Sequence, residues 1–217
     1  DFWQWAMEVM VTYGPDINVS LPTEMNQQLD VNDMHAKVNY YIPSLTALTL
    51  ASPFRQGDLW RIRGRIGKSI RTYRRSVIAP AIEIHPDEDW RLELKPFEAT
   101  PRLEDFHCYF LLWLTLLLDD TLQGRASNQS RIYDLGAIAI DGLEVPMIRE
   151  RASEVLEKAP EILSKWGFDS APLESFFRRL ETGRLPSDEL IELYQSTRSI
   201  PTVLRQLILC EMQAHVS

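Results

Sequence analysis

Glu93 has a cation two residues to either side, Arg91 and Lys95. In an extended chain residues two apart share a face, so these three would stand in a row. Inside a cleft, such a row offers a carboxylate to a metal ion and two cations to a phosphate. On the outside of a sheet it is an ordinary wetted face, as antiparallel sheets commonly have. A second stretch, Ile17 to Leu21, would carry Asn18 and Ser20 on one side. Between the two stretches, the segment from Arg55 to Arg75 holds Arg55, Arg61, Arg63, Arg65, Lys68, Arg71, Arg74 and Arg75 against the single acid Asp58. Arginine is well shaped for phosphate and carboxylate. A solvated basic surface that pairs with acids elsewhere accounts for the same residues equally well. If the two strands are neighbours with their polar faces aligned, they would floor a cleft suited to Mg²⁺ and a nucleotide. Magnesium takes hard oxygen ligands, often one or two carboxylates plus phosphates, and the arginines would answer the charge of phosphoryl transfer.

Other chemistries find no support. The chain has no phosphate-binding Gly-x-x-x-x-Gly-Lys loop, no Gly-x-Gly-x-x-Gly and no Gly-x-Ser-x-Gly. Its four histidines are far apart, and His35 has no second histidine at metal spacing. Cys108 and Cys210 sit singly in apolar runs, which reads as buried thiols in a reducing cytoplasm. A net charge of −8 argues against a general nucleic-acid or membrane-surface binder. No aromatic ladder is interleaved with the basic run. Phe110 to Leu118 is very apolar but far short of a membrane span. The expectation is a soluble, cytoplasmic protein with no nucleic-acid or membrane partner.

The elements that must position these residues follow from periodicity. Trp90, Leu92, Leu94 and Pro96 alternate with Arg91, Glu93, Lys95 and Phe97, which predicts a strand with an apolar and a polar face. Ile17, Val19 and Leu21 alternate with Asp16, Asn18 and Ser20 in the same way. Ala81 to Ile84 is a third, short strand, and His85 to Asp89 a turn. Helices are expected over Phe2–Thr12, from a cap at Asn32 or Asp33 to about Ala51 with a kink at Pro43, and over Arg102–Leu122. The last of these is apolar nearly all round and belongs in a core. From Ser127 onward the pattern is helical throughout, with Pro146, Pro172 and Pro201 at first turns and Gly142, Gly167 and Gly183 at ends. Gly64 and Gly67 keep the basic segment from being one helix. The 217 residues read as a single α+β domain, with a sheet plus helices over 1–100 and helices alone over 101–217.

Three patterns, in this order, resemble the glutamate–cysteine ligase superfamily, in its bacterial carboxylate–amine ligase-like branch. The first is Ile17 to Pro22, an alternating strand ending in Leu-Pro. The second is the helix through Ile42-Pro43 to Leu48, leading into Ala51-Ser-Pro-Phe54 and Gly57 and then Ser69-Ile-Arg71-Thr-Tyr73. The third is Leu92 to Glu98, a strand with Glu93 and a basic residue two positions on. The resemblance covers most of this chain but only the later half of a family member. It implies a glutamine-synthetase-like sheet with helices around it, and ATP- and Mg²⁺-dependent joining of a carboxylate to an amine through an acyl phosphate, of the kind used in glutathione biosynthesis. It implies Glu93 as a metal ligand, Lys95 and Arg71 facing phosphate or substrate carboxylate, and Asn18 and Ser20 lining the floor. The departures are Lys95 where the family favours Arg, Asn18 and Ser20 where a longer amide and an Asn are usual, a short segment from Ser69 to Trp90, and the family's amino-terminal half lying outside these residues. The chain opens on Asp1-Phe2-Trp3 without a methionine, and the expectation is a piece of a longer protein. A strand edge left open near Ile17 would favour a homo-oligomer or a partner chain covering it. Two other readings stand beside the ligase: a non-catalytic relative serving as a binding or assembly module, and a helical interaction domain whose basic loop docks an acidic partner. The ligase reading fails unless Asn18 and Glu93 lie on the same side of one sheet.

Overall fold

A computed structural model describes residues 14–26 and 28–214. The helix expected over Phe2–Thr12 lies outside the described residues. The chain begins with β1 (Ile17–Ser20), a short α1 (Thr23–Asn26) and α2 (Val31–Ala47). Asp30 caps α2, accepting from the backbone N–H of Asn32 at 2.9 Å and of Asp33 at 3.1 Å. The cap therefore sits two or three residues earlier than expected, because an aspartate binds the free N–H groups of the turn that follows it. Pro43 lies inside α2 and is buried.

The basic segment is neither a helix nor an open loop. It forms two small antiparallel hairpins, β2 (Phe54–Arg55) with β3 (Asp58–Leu59) and β4 (Arg61–Ile62) with β5 (Arg65–Ile66). Gln56-Gly57 and Arg63-Gly64 make the turns, all four with positive φ between 51° and 85°. A two-residue hairpin turn needs left-handed backbone at both positions, and glycine adopts it without strain. A short helix follows, α3 (Ile70–Arg75), capped by Ser69, whose hydroxyl accepts from the Thr72 N–H at 2.9 Å.

Next come β6 (Ile82–His85) and β7 (Arg91–Leu94), then α4 (Glu104–Leu118), α5 (Asn128–Asp141), α6 (Ile148–Lys165), α7 (Glu174–Thr182), α8 (Pro186–Thr197) and α9 (Ile200–Ala214). The fold class is α+β, with one small three-stranded antiparallel sheet and helices packed around it. From Glu104 onward the described residues are helices and turns. Gly142, Gly167 and Gly183 all carry positive φ at helix ends, as their positions in the sequence predict. No helix among the described residues is long and apolar enough to cross a membrane.

One hydrophobic core joins the sheet half to the helical half. Leu92 and Leu94 of β7, Val38 and Leu45 of α2, Leu112 and Trp113 of α4, Leu156 of α6 and Phe176 of α7 belong to one cluster and are fully buried. Each such side chain contributes about 1.5–3 kcal/mol by leaving water. The α4 helix is core on nearly every side, as its composition predicts. A second cluster ties Leu59 of β3 to Leu190, Tyr194, Val203 and Leu207 of α8 and α9.

Candidate functional site

The sheet order is β1-β7-β6, with β7 in the middle. Its register sorts the side chains into rows. Ile17, Leu94 and Ile82 form one apolar row, and Val19, Leu92 and Ile84 the next. Between them, on the opposite face, stand Asn18, Glu93 and Glu83, then Ser20, Arg91 and His85. Asn18 and Glu93 are thus cross-strand partners on one face of one sheet. The apolar rows pack on the core, which fixes which face the polar rows take, since a slip of one residue would exchange them.

Two carboxylates directly opposite each other repel. Here Glu83 and Glu93 are held by cations. Lys95 pairs with both, reaching Glu83 at 3.2 Å. Arg91 donates to Glu93 at 2.8 Å, to Glu88 at 2.8 Å and to the Asn18 side-chain oxygen at 2.6 Å. Glu93 is only 12% exposed. The Lys95 ammonium, seconded by Arg91, pulls its carboxyl down to about 2 against the opposing effect of burial. Burial works against the Lys95 charge, but Glu93 and Glu83 outweigh it and hold the ammonium above its ordinary range.

His85 closes the cluster. Its Nε2 lies 3.4 Å from Glu93 and 3.7 Å from Glu83. That nitrogen is out of contact with solvent and has no hydrogen-bond partner. Glu83, His85 and Glu93 each bring a ligand atom to within 4.8 Å of the others. Two carboxylates supply the hard oxygens that magnesium prefers, so Glu83 and Glu93 fit that ion. An imidazole nitrogen suits zinc, copper, iron or nickel rather than magnesium, so His85 fits Mg²⁺ only as a neighbour.

The sequence reading includes neither Glu83 nor His85 in the site. The signal was present: Ile82-Glu83-Ile84-His85 alternates, and His85 ends the strand rather than opening the turn. Lys95 lies just past β7 and keeps the polar face, as expected. Ser20 is exposed opposite Arg91.

Two expectations are corrected. Phe97, placed on the polar face by alternation, is fully buried and packs on Tyr109 with ring centroids 4.8 Å apart. The strand ends at Leu94, and period two does not carry on into the irregular segment that follows. Arg71, expected to face phosphate, is 2% exposed. Its guanidinium donates to the backbone carbonyls of Pro96 at 3.0 Å and Lys95 at 3.2 Å. Burial lowers its affinity for a proton, which nearby Glu98 partly offsets. A cavity of about 20 Å³ beside it, room for about one water, is also lined by Lys95 and Pro96.

Glu98 anchors this exit from the sheet. It is fully buried and accepts from the Ala51 N–H at 2.7 Å, from the Thr72 hydroxyl at 2.5 Å and from the Ser69 hydroxyl. The Tyr109 hydroxyl donates to its carbonyl at 2.9 Å. The loop at Ala51, α3 with its cap, and α4 therefore converge on Glu98, three residues past Lys95. No family model matches the chain, and no curated protein and no solved structure matches it.

Proposed function

We propose that the chain is the later half of an ATP-dependent carboxylate–amine ligase of the glutamate–cysteine ligase type, forming a γ-glutamyl amide through an acyl phosphate. The observation that carries this reading is the pairing of Asn18 with Glu93 on one sheet face, with Glu83 and His85 beside them. Glu93 and Glu83 would hold Mg²⁺, which when bound supplies Lewis-acid polarisation of the phosphates. Lys95 and Arg91 are the cations that answer the phosphate and substrate-carboxylate charge. Asn18 and Ser20 line the floor, and the substrates are an amino acid and ATP. Arg71 acts behind the face by fixing the backbone of Lys95 and Pro96. The compartment that suits this chemistry is the cytoplasm, where the buried Cys108 thiol stays reduced. Among the described residues β1 pairs on one side only. The other half of the ligase fold, or a second copy, would cover that edge.

A second reading has its own observation. Glu93 is already neutralised by Lys95 and Arg91, which is how a relative that kept the fold and lost the metal would look. Calorimetry of the chain with Mg-ATP separates the two. The ligase reading expects binding that weakens at least tenfold in Glu93→Gln and in Glu83→Gln. Binding that neither substitution changes removes both carboxylates from the site, and no binding at all favours the non-catalytic module.

A further inference from the structure

The arginine-rich hairpins are not absorbed by the sheet-face site, and they border the largest cavity described. It is a groove of about 860 Å³ between the β4–β5 hairpin, α3 and α5. Its walls are apolar and open. Tyr133 is 70% exposed, Val77 63% and Tyr73 38%, and Tyr73 leans on Trp60 with ring centroids 5.2 Å apart. Single exposed apolar residues need no explanation, but a contiguous patch marks an interaction surface.

The rim is cationic. Arg61 and Arg63 stand exposed on the hairpin that borders the groove. The stretch from Arg55 to Arg75 holds eight cations against one acid in a chain whose net charge is −8. Within that stretch Arg71 is buried, and Arg65 and Lys68 pair with Asp141 and Asp188, so the charge at the groove comes from the arginines that line it, Arg61 and Arg63 among them.

A third observation is independent of both. Gly136 lies in the middle of α5 and lines the groove. A Cβ built there would meet nothing within 4 Å, and its φ does not require glycine. Glycine inside a helix is unfavourable relative to alanine. Among the described residues neither packing nor backbone geometry accounts for it. It leaves a notch between Tyr133 and Ile140, one helical turn away on either side.

We propose that this groove docks an acidic amphipathic helix of a partner protein, with apolar side chains seated on Tyr73 and Tyr133 and in the Gly136 notch, and carboxylates on Arg61 and Arg63. Helix-in-groove recognition uses this combination of an apolar floor read at spacings of three and four residues and a charged rim. A nucleic acid does not suit a chain of net charge −8. A small anion would leave the apolar floor wet.

The test is fluorescence anisotropy with a labelled synthetic helix carrying Leu at positions i, i+3, i+4 and i+7 and Glu on the remaining face. A lysine version and a scrambled version of the same composition serve as controls. The glutamate helix is expected to bind, and the other two to bind at least tenfold more weakly. The double variant Arg61→Glu, Arg63→Glu and the variant Gly136→Leu should each lose at least tenfold. Gly136→Ala reports on folding as well as docking: it should raise the melting temperature by about 2–4 °C while weakening the peptide. Absence of binding, equal binding of all three peptides, or binding unchanged by these substitutions overturns the proposal. So does a homodimer of the chain alone that Gly136→Leu converts to monomer, since the occupant would then be a second copy.

Discussion

Arg71 donates to the backbone carbonyl of Lys95 at 3.2 Å, while the Lys95 ammonium pairs with Glu93 and Glu83. One cation holds the chain from behind the sheet and the other works on its polar face. Their charges look alike in the sequence, but their free-energy roles differ. Removing Arg71 takes the donors from two half-buried carbonyls beside a cavity with room for about one water, whereas removing Lys95 leaves two carboxylates without their shared cation.

Arg71→Met should therefore lower stability by about 2–4 kcal/mol, since each buried polar group left unpaired costs about 1–3 kcal/mol. Mg-ATP binding by the fraction that remains folded should be unchanged. Lys95→Met should do the reverse, with a small stability loss and a large loss of binding. Urea unfolding and calorimetry on both variants check the pair, and an Arg71→Met protein of native stability would refute the structural role.

Stability should depend on acid through Glu93. Its carboxyl is held at about 2 in the folded protein, below the ordinary value of 4.5. A group whose pKa is depressed by folding stabilises above its unfolded value and loses that contribution as pH falls through the folded one. Thermal melts of the native chain and Glu93→Gln should differ most at pH 7. The gap, about 1–3 kcal/mol after allowance for screening, should narrow from pH 5 downward and close near pH 2.

Asp105 and Arg179 form a buried bidentate pair, with oxygens 2.6 and 2.8 Å from one guanidinium nitrogen. Arg179 also donates to the Leu48 carbonyl at 3.0 Å, and the Thr100 hydroxyl donates to Asp105 at 2.5 Å. Either Asp105→Ala or Arg179→Met should cost about 3–5 kcal/mol, because the partner is left charged and buried. The double variant should cost less than the sum of the two, which a double-mutant cycle in denaturant measures directly.

Gly14 lies against the Arg71 fork. A Cβ there would stand 1.9 Å from an Arg71 nitrogen and 2.6 Å from the Phe97 carbonyl oxygen. Arg71 is tied to two carbonyls and has no slack to withdraw. Gly14→Ala should destabilise by about 1–3 kcal/mol through overpacking. A melting temperature equal to that of the native chain would show that Arg71 can move aside.

Much of the architecture is local, and local features were readable from residues. Alternation at Ile17–Leu21 and around Glu93 shows strands and their apolar faces because side chains alternate sides by covalent geometry. Gly142, Gly167 and Gly183 mark helix ends because few other residues accept positive φ there. The two hairpins of the basic segment are also local, since Gln56-Gly57 and Arg63-Gly64 are turn pairs with positive φ.

What only the tertiary structure decided is everything set by partners distant in the chain. The register that puts Asn18 beside Glu93 joins strands more than seventy residues apart, and no local pattern encodes that pairing. The same sheet brings Glu83 and His85 to Glu93, turning one carboxylate into a three-residue cluster. Phe97 leaves the polar face because the strand has ended before it and its ring packs on Tyr109, and the buried Arg71 donates to two carbonyls of the same segment. A side chain's type limits the chemistry it can do, but its role follows from which groups the folded chain places within reach and how much water is left among them.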